Sequence, residues 1–292
     1  MAYDVCDLVD RSVAAETVIK YKYIVKIQME AGHITEIFSS FQGEGPYAGK
    51  RQIFIRFAGC HFSCFYCDTS SARDPKPRFC NLLLLNKETY SKRNPLSTNA
   101  VIDCVKDLLT PDLHSISYTG GEPLTSHSFV KEIATEAKVV MHLKNFIETN
   151  GYSATAFASL ADSKCFDFAS IDIKLMSHRA VEEKDYENLY SNAMDCVKIS
   201  ADRGIETIVK IVVIRNTAVD EIEKLCDDLA GFNSRLKFVL QPVNVNITTQ
   251  PHLHRAGIVP DIEELFKLSE IAGRILPDVM VLPQVHKFMR IP

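Results

Sequence analysis

Short runs of β-branched and aromatic residues alternate along this chain with longer stretches whose apolar side chains return every three or four positions. The short runs, residues 53–57, 115–118, 145–148, 168–173, 207–214 and 237–240, have the length and composition of buried strands. Between them the helical period predicts four helices: one capped by Asn99 and running to Leu109, and one from Ser126 to about Val140. A third carries Asp220 in its first turn and ends at Leu229, and a fourth is opened by Pro260 and Asp261 and continues to Ala272. A further apolar run, 279–282, predicts a seventh strand. Strands and helices in alternation read as parallel β/α units, and six or seven of them predict an α/β fold, a partial (β/α)6-type TIM barrel. In such a barrel the strand C-termini converge on one mouth, and the chemistry sits there.

Two regions break the repeat. Residues 1–35 precede the first strong signal as an N-terminal extension, within which the alternation from Tyr21 to Met29 predicts an added strand. Residues 72–98, rich in proline and charge, read as a loop inserted into a domain spanning 36–292. The 292 residues are 46% hydrophobic and 24% charged, enough apolar content for a full core. A net charge of −4 with no basic stripe argues against nucleic acid as the main partner. No apolar run approaches the roughly 18 residues that a membrane span needs. The first residues show no basic segment followed by an apolar one, so a cytoplasmic protein with reduced thiols is expected. Of nine cysteines, Cys104, Cys165, Cys196 and Cys226 sit among apolar neighbours and read as small buried hydrophobes.

The unusual polar residues fall just after predicted strands. Cys60-His61-Phe62-Ser63-Cys64-Phe65-Tyr66-Cys67-Asp68-Thr69 follows the first, and Thr119-Gly120-Gly121-Glu122-Pro123 the second. Glu148-Thr149-Asn150-Gly151 closes the third, Asp172-Ile173-Lys174 the fourth and Gln241-Pro242 the sixth. The barrel rule delivers all of them to one place. Three readings compete for Cys60, Cys64 and Cys67. Structural zinc takes four ligands, commonly as two Cys-x2-Cys pairs, and only Cys80 is near enough in sequence to be a fourth. A disulfide framework disagrees with a reducing compartment. An iron–sulfur cluster on three thiolates leaves one iron open to a substrate or cofactor, a waste in a simple electron carrier.

The spacing Cys-x3-Cys-x2-Cys at a barrel mouth, with Tyr66 before the third cysteine and Gly120-Gly121-Glu122-Pro123 on the next loop, resembles the radical S-adenosylmethionine superfamily. The resemblance implies a [4Fe–4S] cluster on Cys60, Cys64 and Cys67 whose open iron is chelated by S-adenosylmethionine. It also implies a flavodoxin- or ferredoxin-type electron donor, and a 5′-deoxyadenosyl radical released when the sulfonium is cleaved. Tyr66 falls where the family places an aromatic beside the adenine, and Gly121 and Glu122 where it binds the methionine amino group. Asp68, Asp172, Ile173, Lys174 and Gln241 complete the implied S-adenosylmethionine site.

Upstream, Glu36-Ile37-Phe38-Ser39-Ser40-Phe41-Gln42-Gly43-Glu44-Gly45-Pro46 leads to Ile55-Arg56, Gly59-Cys60 and Cys67-Asp68-Thr69. In this order the motifs closely resemble the 7-carboxy-7-deazaguanine synthase family, from about Glu36 onward and most specifically over 36–69. That resemblance implies conversion of 6-carboxy-5,6,7,8-tetrahydropterin to 7-carboxy-7-deazaguanine with loss of ammonia, in the pathway to queuosine and related 7-deazaguanines. It places Phe41, Gln42, Gly43 and Glu44 along the pterin, Thr119 at a further contact, and Arg56 on the carboxylate, where a guanidinium can pair bidentately. Thr69 falls at the family's Mg²⁺ ligand; a hydroxyl is a suitable hard donor for Mg²⁺, against the alternative of a helix N-cap. The run from Leu282 to Pro292 resembles the family's ending, in which the terminal proline, Pro292 here, binds the pterin through its α-carboxylate. One departure is Asp172-Ile173-Lys174, where many synthases carry a Ser-Pro-Lys-like motif. Asp172 resembles glycyl-radical activating enzymes, which act on a protein glycine and form the alternative reading. A homodimer is compatible with the synthase reading. His252 and His254, in a polar linker, read as a solvated loop.

Overall fold

The structure is a computed structural model and describes residues 30–86, 88–232, 236–245 and 256–291. The chain enters the fold through β1 (Ala31–Gly32), β2 (Ile34–Phe41) and β3 (Arg51–Phe57). Then come β4 (Phe79–Leu83), β5 (Thr89–Arg93) and β6 (Leu96–Ser97). From there strand and helix alternate: α1 (Thr98–Asp107), β7 (Leu113–Gly120), α2 (His127–Val139), β8 (Asn145–Thr149), α3 (Ala154–Ala161) and β9 (Phe168–Asp172). The series continues with α4 (Glu183–Asp202), β10 (Glu206–Val213), α5 (Val219–Ala230), β11 (Lys237–Pro242), α6 (Ile262–Gly273), β12 (Val279–Val281) and α7 (Val285–Met289).

Strands β3, β7, β8, β9, β10, β11 and β12 lie side by side and parallel, as the alternation predicts for a partial (β/α)6-type TIM barrel with a seventh strand. Beyond β3 the sheet continues through β2, antiparallel to it, and then β4 and β5, to ten strands. Here the structure departs from the sequence reading. Residues 79–93 are a hairpin on the sheet edge rather than a loop, with Cys80 and Leu82 buried beneath it. The ordered body also begins ahead of residue 36, since Ile34 is fully buried and β1 pairs with β6. Helices α3 and α4 went unpredicted. The sequence of α3, Ala-Thr-Ala-Phe-Ala-Ser-Leu-Ala, is too uniformly apolar to display a period, and α4 opens after Glu182 with no side-chain cap. The cap of α1 is Ser97, not Asn99; its side chain accepts from Ala100 N at 3.3 Å. The Tyr21–Met29 alternation, the His252 and His254 loop and Pro292 lie outside the described residues.

Period-two alternation sorts each strand between two environments. In β10, Val209, Ile211 and Val213 pack with the helices in the main core, which also takes Ile53, Ile55, Ile116 and Ile171 from neighbouring strands. The opposite face is layered. Phe146, Phe168, Ile208 and Val239 form an apolar floor with Tyr47 packed against it. Further along the same strands, Arg56, Glu148, Asp172, Lys210 and Gln241 line a cavity at the C-terminal ends. Among the described residues no helix is long and apolar enough to cross a membrane.

Replacing Ser97 with Ala removes the α1 cap and should lower the unfolding free energy by about 1 kcal/mol in urea titration.

Candidate active site

The cavity holds about 220 Å³, and its wall includes Cys60, Cys64 and Cys67. Two loops are laced together to present them. Gly59 N donates to Ala72 O at 2.7 Å, Gly59 O accepts from Glu122 N at 2.7 Å, and Phe57 O accepts from Gly121 N at 2.9 Å. This approach requires glycine: a Cβ on Gly121 would lie 2.1 Å from Gly59 O, and Gly120 has φ +118°. The three cysteines are thiols, not disulfides. Cys60 Sγ lies 3.8 Å from Asn150 Nδ2 and 3.5 Å from Phe62 N. Burial pushes the Cys60 thiol up to about 11 and raises that of Cys64 as well. Cys80, the one nearby candidate for a fourth ligand, is fully buried in the core under β4.

Opposite the cysteines runs a chain of alternating charges. Lys174 Nζ lies 2.8 Å from Asp172 Oδ2, Lys210 Nζ is 3.7 Å from the same oxygen, and Lys210 also pairs with Glu44. Gln284 Nε2 then donates to Glu44 Oε1 at 2.7 Å and to Asp68 Oδ2 at 2.9 Å, and Lys287 closes on Asp68 at 2.7 Å. Burial works against the charges of Lys174, Asp172, Lys210, Glu44 and Asp68, and their partners outweigh it. Asp68 is held down to about 2 by Lys287 and Gln284 despite its desolvation. Against the same penalty, Glu44 is lowered by Lys210, Asp172 by Lys174 and Lys210, and Lys174 and Lys210 are raised by those carboxylates.

Most residues singled out in the sequence meet here. Phe41, Gln42, Gly43, Glu44, Arg56, Tyr66, Asp68, Thr69, Thr119, Gly121, Glu122, Asp172, Lys174 and Gln241 all line the cavity. Several are already committed within the protein. Gln42 spends its amide hydrogens on Gln52 Oε1 (3.0 Å) and Glu148 Oε1 (2.9 Å) and accepts from Glu44 N (3.0 Å), so it braces the wall. Arg56 gives its Nε to Glu36, the residue facing it across β2, at 2.6 Å. Glu122 accepts from Thr149 Oγ1 (2.6 Å), Asn150 N (2.8 Å) and Leu124 N (3.0 Å), yet burial raises its carboxyl to about 7. Thr69 stands at the N-cap of the turn Ser70–Arg73 but makes no side-chain cap bond, so capping does not account for its hydroxyl. Ile173 is a correction. Its side chain turns away into the core between sheet and helices, because alternation opposes it to Asp172.

The sequence reading placed Glu148 and Asn150 at the mouth without a role and gave Lys210, Gln284 and His286 none; all five line the cavity. Glu148 collects Gln42, Ser117 Oγ (2.7 Å) and Thr119 Oγ1 (3.3 Å). Lys210 carried a readable signal: a lone lysine within the apolar strand Thr-Ile-Val-Lys-Ile-Val-Val, in phase with the inward positions. Gln284 and His286 arrive through α7, whose Val285 N donates to Gly43 O at 2.8 Å. His286 fits so tightly that a Cβ on Gly43 would lie 2.1 Å from its Nδ1. Glu44, Asp68 and His286 bring one ligand atom each within 4.8 Å of one another.

Comparison with known proteins resolves the family. The Radical SAM superfamily model matches residues 54–229, more than half of the chain. Over 259 residues the chain is 34% identical to the 7-carboxy-7-deazaguanine synthase of Methanocaldococcus jannaschii, covering 88% of this chain and 98% of that relative. The synthases of Methanothermobacter thermautotrophicus (34%; 87% and 95% covered) and Geobacter sulfurreducens (32%; 88% and 96%) match similarly. The chain belongs to the 7-carboxy-7-deazaguanine synthase family. Two solved structures show the same fold. They are QueE from Escherichia coli (TM-score 0.51, 18% identity, 88% of this chain and 95% of that one) and a radical SAM methyltransferase from Sphaerobacter thermophilus (0.56, 11%, 94% and 84%). With synthase relatives along most of the chain, the activating-enzyme alternative suggested by Asp172 falls away.

Radical SAM synthases of this family take a [4Fe–4S] cluster, S-adenosylmethionine and Mg²⁺, and the donor set fits them. Three thiols stand on one loop, and among the described residues no fourth cysteine lines the cavity. Asp172 Oδ1 and Gln241 Oε1 are buried acceptors without a hydrogen-bond partner, suited to donors of a ligand. Hard oxygens at Thr69, Asp68 and Glu44 suit Mg²⁺.

Two outcomes follow from the electrostatics. Lys210→Met leaves Glu44 and Asp172 without the cation between them, which should cost about 3–5 kcal/mol in urea unfolding at pH 7. The loss should shrink at pH 5, where the abandoned carboxylates can protonate. Glu122, raised to about 7 from 4.5, binds its proton more tightly folded than unfolded, so its contribution is complete below pH 4.5 and fades as pH rises through 7. The unfolding free energy of the wild type, measured against Glu122→Gln, should therefore fall by about 3 kcal/mol between pH 4.5 and 7.5.

Proposed function

We infer that this protein is a 7-carboxy-7-deazaguanine synthase that converts 6-carboxy-5,6,7,8-tetrahydropterin to 7-carboxy-7-deazaguanine with loss of ammonia. The observation that carries the reading is one cavity lined both by Cys60, Cys64 and Cys67 and by Gln42-Gly43-Glu44, Arg56, Thr119 and Glu148. In this reading Cys60, Cys64 and Cys67 hold the cluster, and Tyr66, Gly121, Glu122, Asp172, Lys174 and Gln241 hold S-adenosylmethionine. When bound, that cofactor supplies a 5′-deoxyadenosyl radical that removes a hydrogen from C6 of the pterin and later returns it.

The chain's own part is positioning. Arg56 carries the positive charge that the pterin carboxylate needs, with Glu36 steadying its Nε end. The acceptors of Glu148 and Glu44 suit the N–H edge of a pterin, and Gln42 fixes the first of these carboxylates. Thr69 would hold Mg²⁺ through its hydroxyl, with the carboxylates of Glu44 and Asp68 lining the same cavity. The segment Gln284–Lys287 closes the mouth on Asp68 and Gly43, which restricts water. Ile173 contributes main chain only. The enzyme works in the cytoplasm with a flavodoxin- or ferredoxin-type donor, as monomer or homodimer. The extension of the catalytic domain ends before β1, and 72–98 stand as an insertion in it.

The deciding experiment is anaerobic reconstitution with iron and sulfide, followed by reductant, S-adenosylmethionine, Mg²⁺ and carboxytetrahydropterin. Deazaguanine should form with S-adenosylmethionine regenerated. Ala at Cys60, Cys64 or Cys67 should abolish cluster absorbance and turnover, Cys80→Ala should not, and Thr69→Ala should raise the Mg²⁺ requirement with the cluster intact. Stoichiometric consumption of S-adenosylmethionine without deazaguanine would defeat the reading.

A further inference from the structure

One buried polar group beside the cavity is used by none of the roles above. His178 ends the turn Met176–His178 after β9, and its side chain is completely buried. Its Nδ1 lies 2.9 Å from the Tyr66 hydroxyl and 3.2 Å from Leu175 N. A main-chain N–H can only donate, so Nδ1 must present its lone pair there, and the Tyr66 hydroxyl must donate to the same atom. These two contacts put the ring proton on Nε2, which is buried and has no hydrogen-bond partner among the described residues. Burial, together with the nearby Lys174 charge, holds the imidazole pKa down to about 4, so the ring is uncharged at any working pH.

The consequence reaches the cavity through Tyr66, which lies between Cys64 and Cys67 in sequence and is 7% exposed. Its ring meets the imidazole edge-on, with centroids 5.1 Å apart at 80°. Phe65 packs edge-on as well, at 5.1 Å and 81°. The Lys174 ammonium sits 5.5 Å from the ring centroid while paired with Asp172. Without an acceptor at Nδ1 the Tyr66 hydroxyl would be a buried donor with nothing to satisfy it, and the ring would turn to find one. Its plane, and the seat of Lys174 above it, would then be lost.

We propose that His178 is a positioning residue for S-adenosylmethionine, a neutral imidazole that anchors the Tyr66 hydroxyl and so fixes the ring and Lys174 against which the adenosyl group lies. The proposal rests on the reading of Tyr66 and Lys174 as cofactor contacts. A pre-set ring spares the cofactor the cost of ordering it on binding.

The test uses full-length protein with its cluster reconstituted. The dissociation constant of S-adenosylmethionine is measured by equilibrium binding, and cofactor ligation by the change it causes in the EPR spectrum of the reduced cluster. His178→Leu and Tyr66→Phe should each weaken binding about tenfold. Because they break one unit, the double variant should be no weaker than the worse single one. His178→Gln, whose Oε1 can accept from both donors, should recover most of the affinity. Iron content should match the wild type throughout, and the Michaelis constant for S-adenosylmethionine should rise with kcat preserved at saturation. Wild-type affinity in Tyr66→Phe overturns the proposal even if His178→Leu does not fold. Tyr66→Ala separates the two levels: if removing the whole ring changes nothing, the cofactor reading of Tyr66 fails as well. If only Tyr66→Ala weakens binding, the ring contacts the cofactor but His178 does not set it.

Discussion

The site depends on charges that cannot stand alone. Lys174, Asp172, Lys210, Glu44, Asp68 and Lys287 form a nearly continuous file across the cavity wall, bridged once by the Gln284 amide. The buried members are tolerated because each carboxylate meets a lysine of opposite sign, and the like charges of Glu44 and Asp68 meet only through the Gln284 amide. Such a file adds little net stability compared with apolar packing, but it restricts how its members can be arranged. Moving any one strands its neighbour, so elements as distant in sequence as the turn after β2, the ends of β9 and β10, and α7 are held in register by one electrostatic pattern.

That pattern explains why the fold was more legible than the site. Six inner strands announce themselves because β-branched runs have no other comfortable home, and the residues just past them followed from the barrel rule. Cys60, Cys64, Cys67, Tyr66 and Gly121 could be read because their spacing is itself the signal. Lys210 and His286 belong to no spaced motif. Inward phase marks Lys210 on its strand, but its partner Glu44 and the packing of His286 on Gly43 lie far along the chain, outside any local window. The hairpin Phe79–Arg93 hid for a similar reason: its outer face is charged and exposed, and only Cys80 and Leu82 reveal that its other side is covered. Ile173 differs from its neighbours Asp172 and Lys174, because alternation sends its side chain into the core.

The lacing of the cysteine loop to the Gly120-Gly121-Glu122-Pro123 loop sets a second constraint. Main-chain bonds from Gly59 to Glu122 and from Phe57 to Gly121 leave no room for a side chain between them. Wherever Gly121 is held, Cys60 is held too. The thiols and the Gly120-Gly121-Glu122-Pro123 loop thus share a rigid main-chain frame rather than depending on flexible side chains, which suits a reaction in which the reacting groups must stay in place.

The Gln284 bridge also bears on how the molecule is made. Its two partners, Glu44 and Asp68, lie 240 and 216 positions earlier in the sequence. Contacts of that span are among the last to close, both on the ribosome and in refolding from denaturant. The strand layers and the cysteine loop can therefore form while the mouth is still open, giving a bulky inorganic cofactor an entry route before α7 arrives to narrow it. Order of synthesis would then coincide with order of assembly.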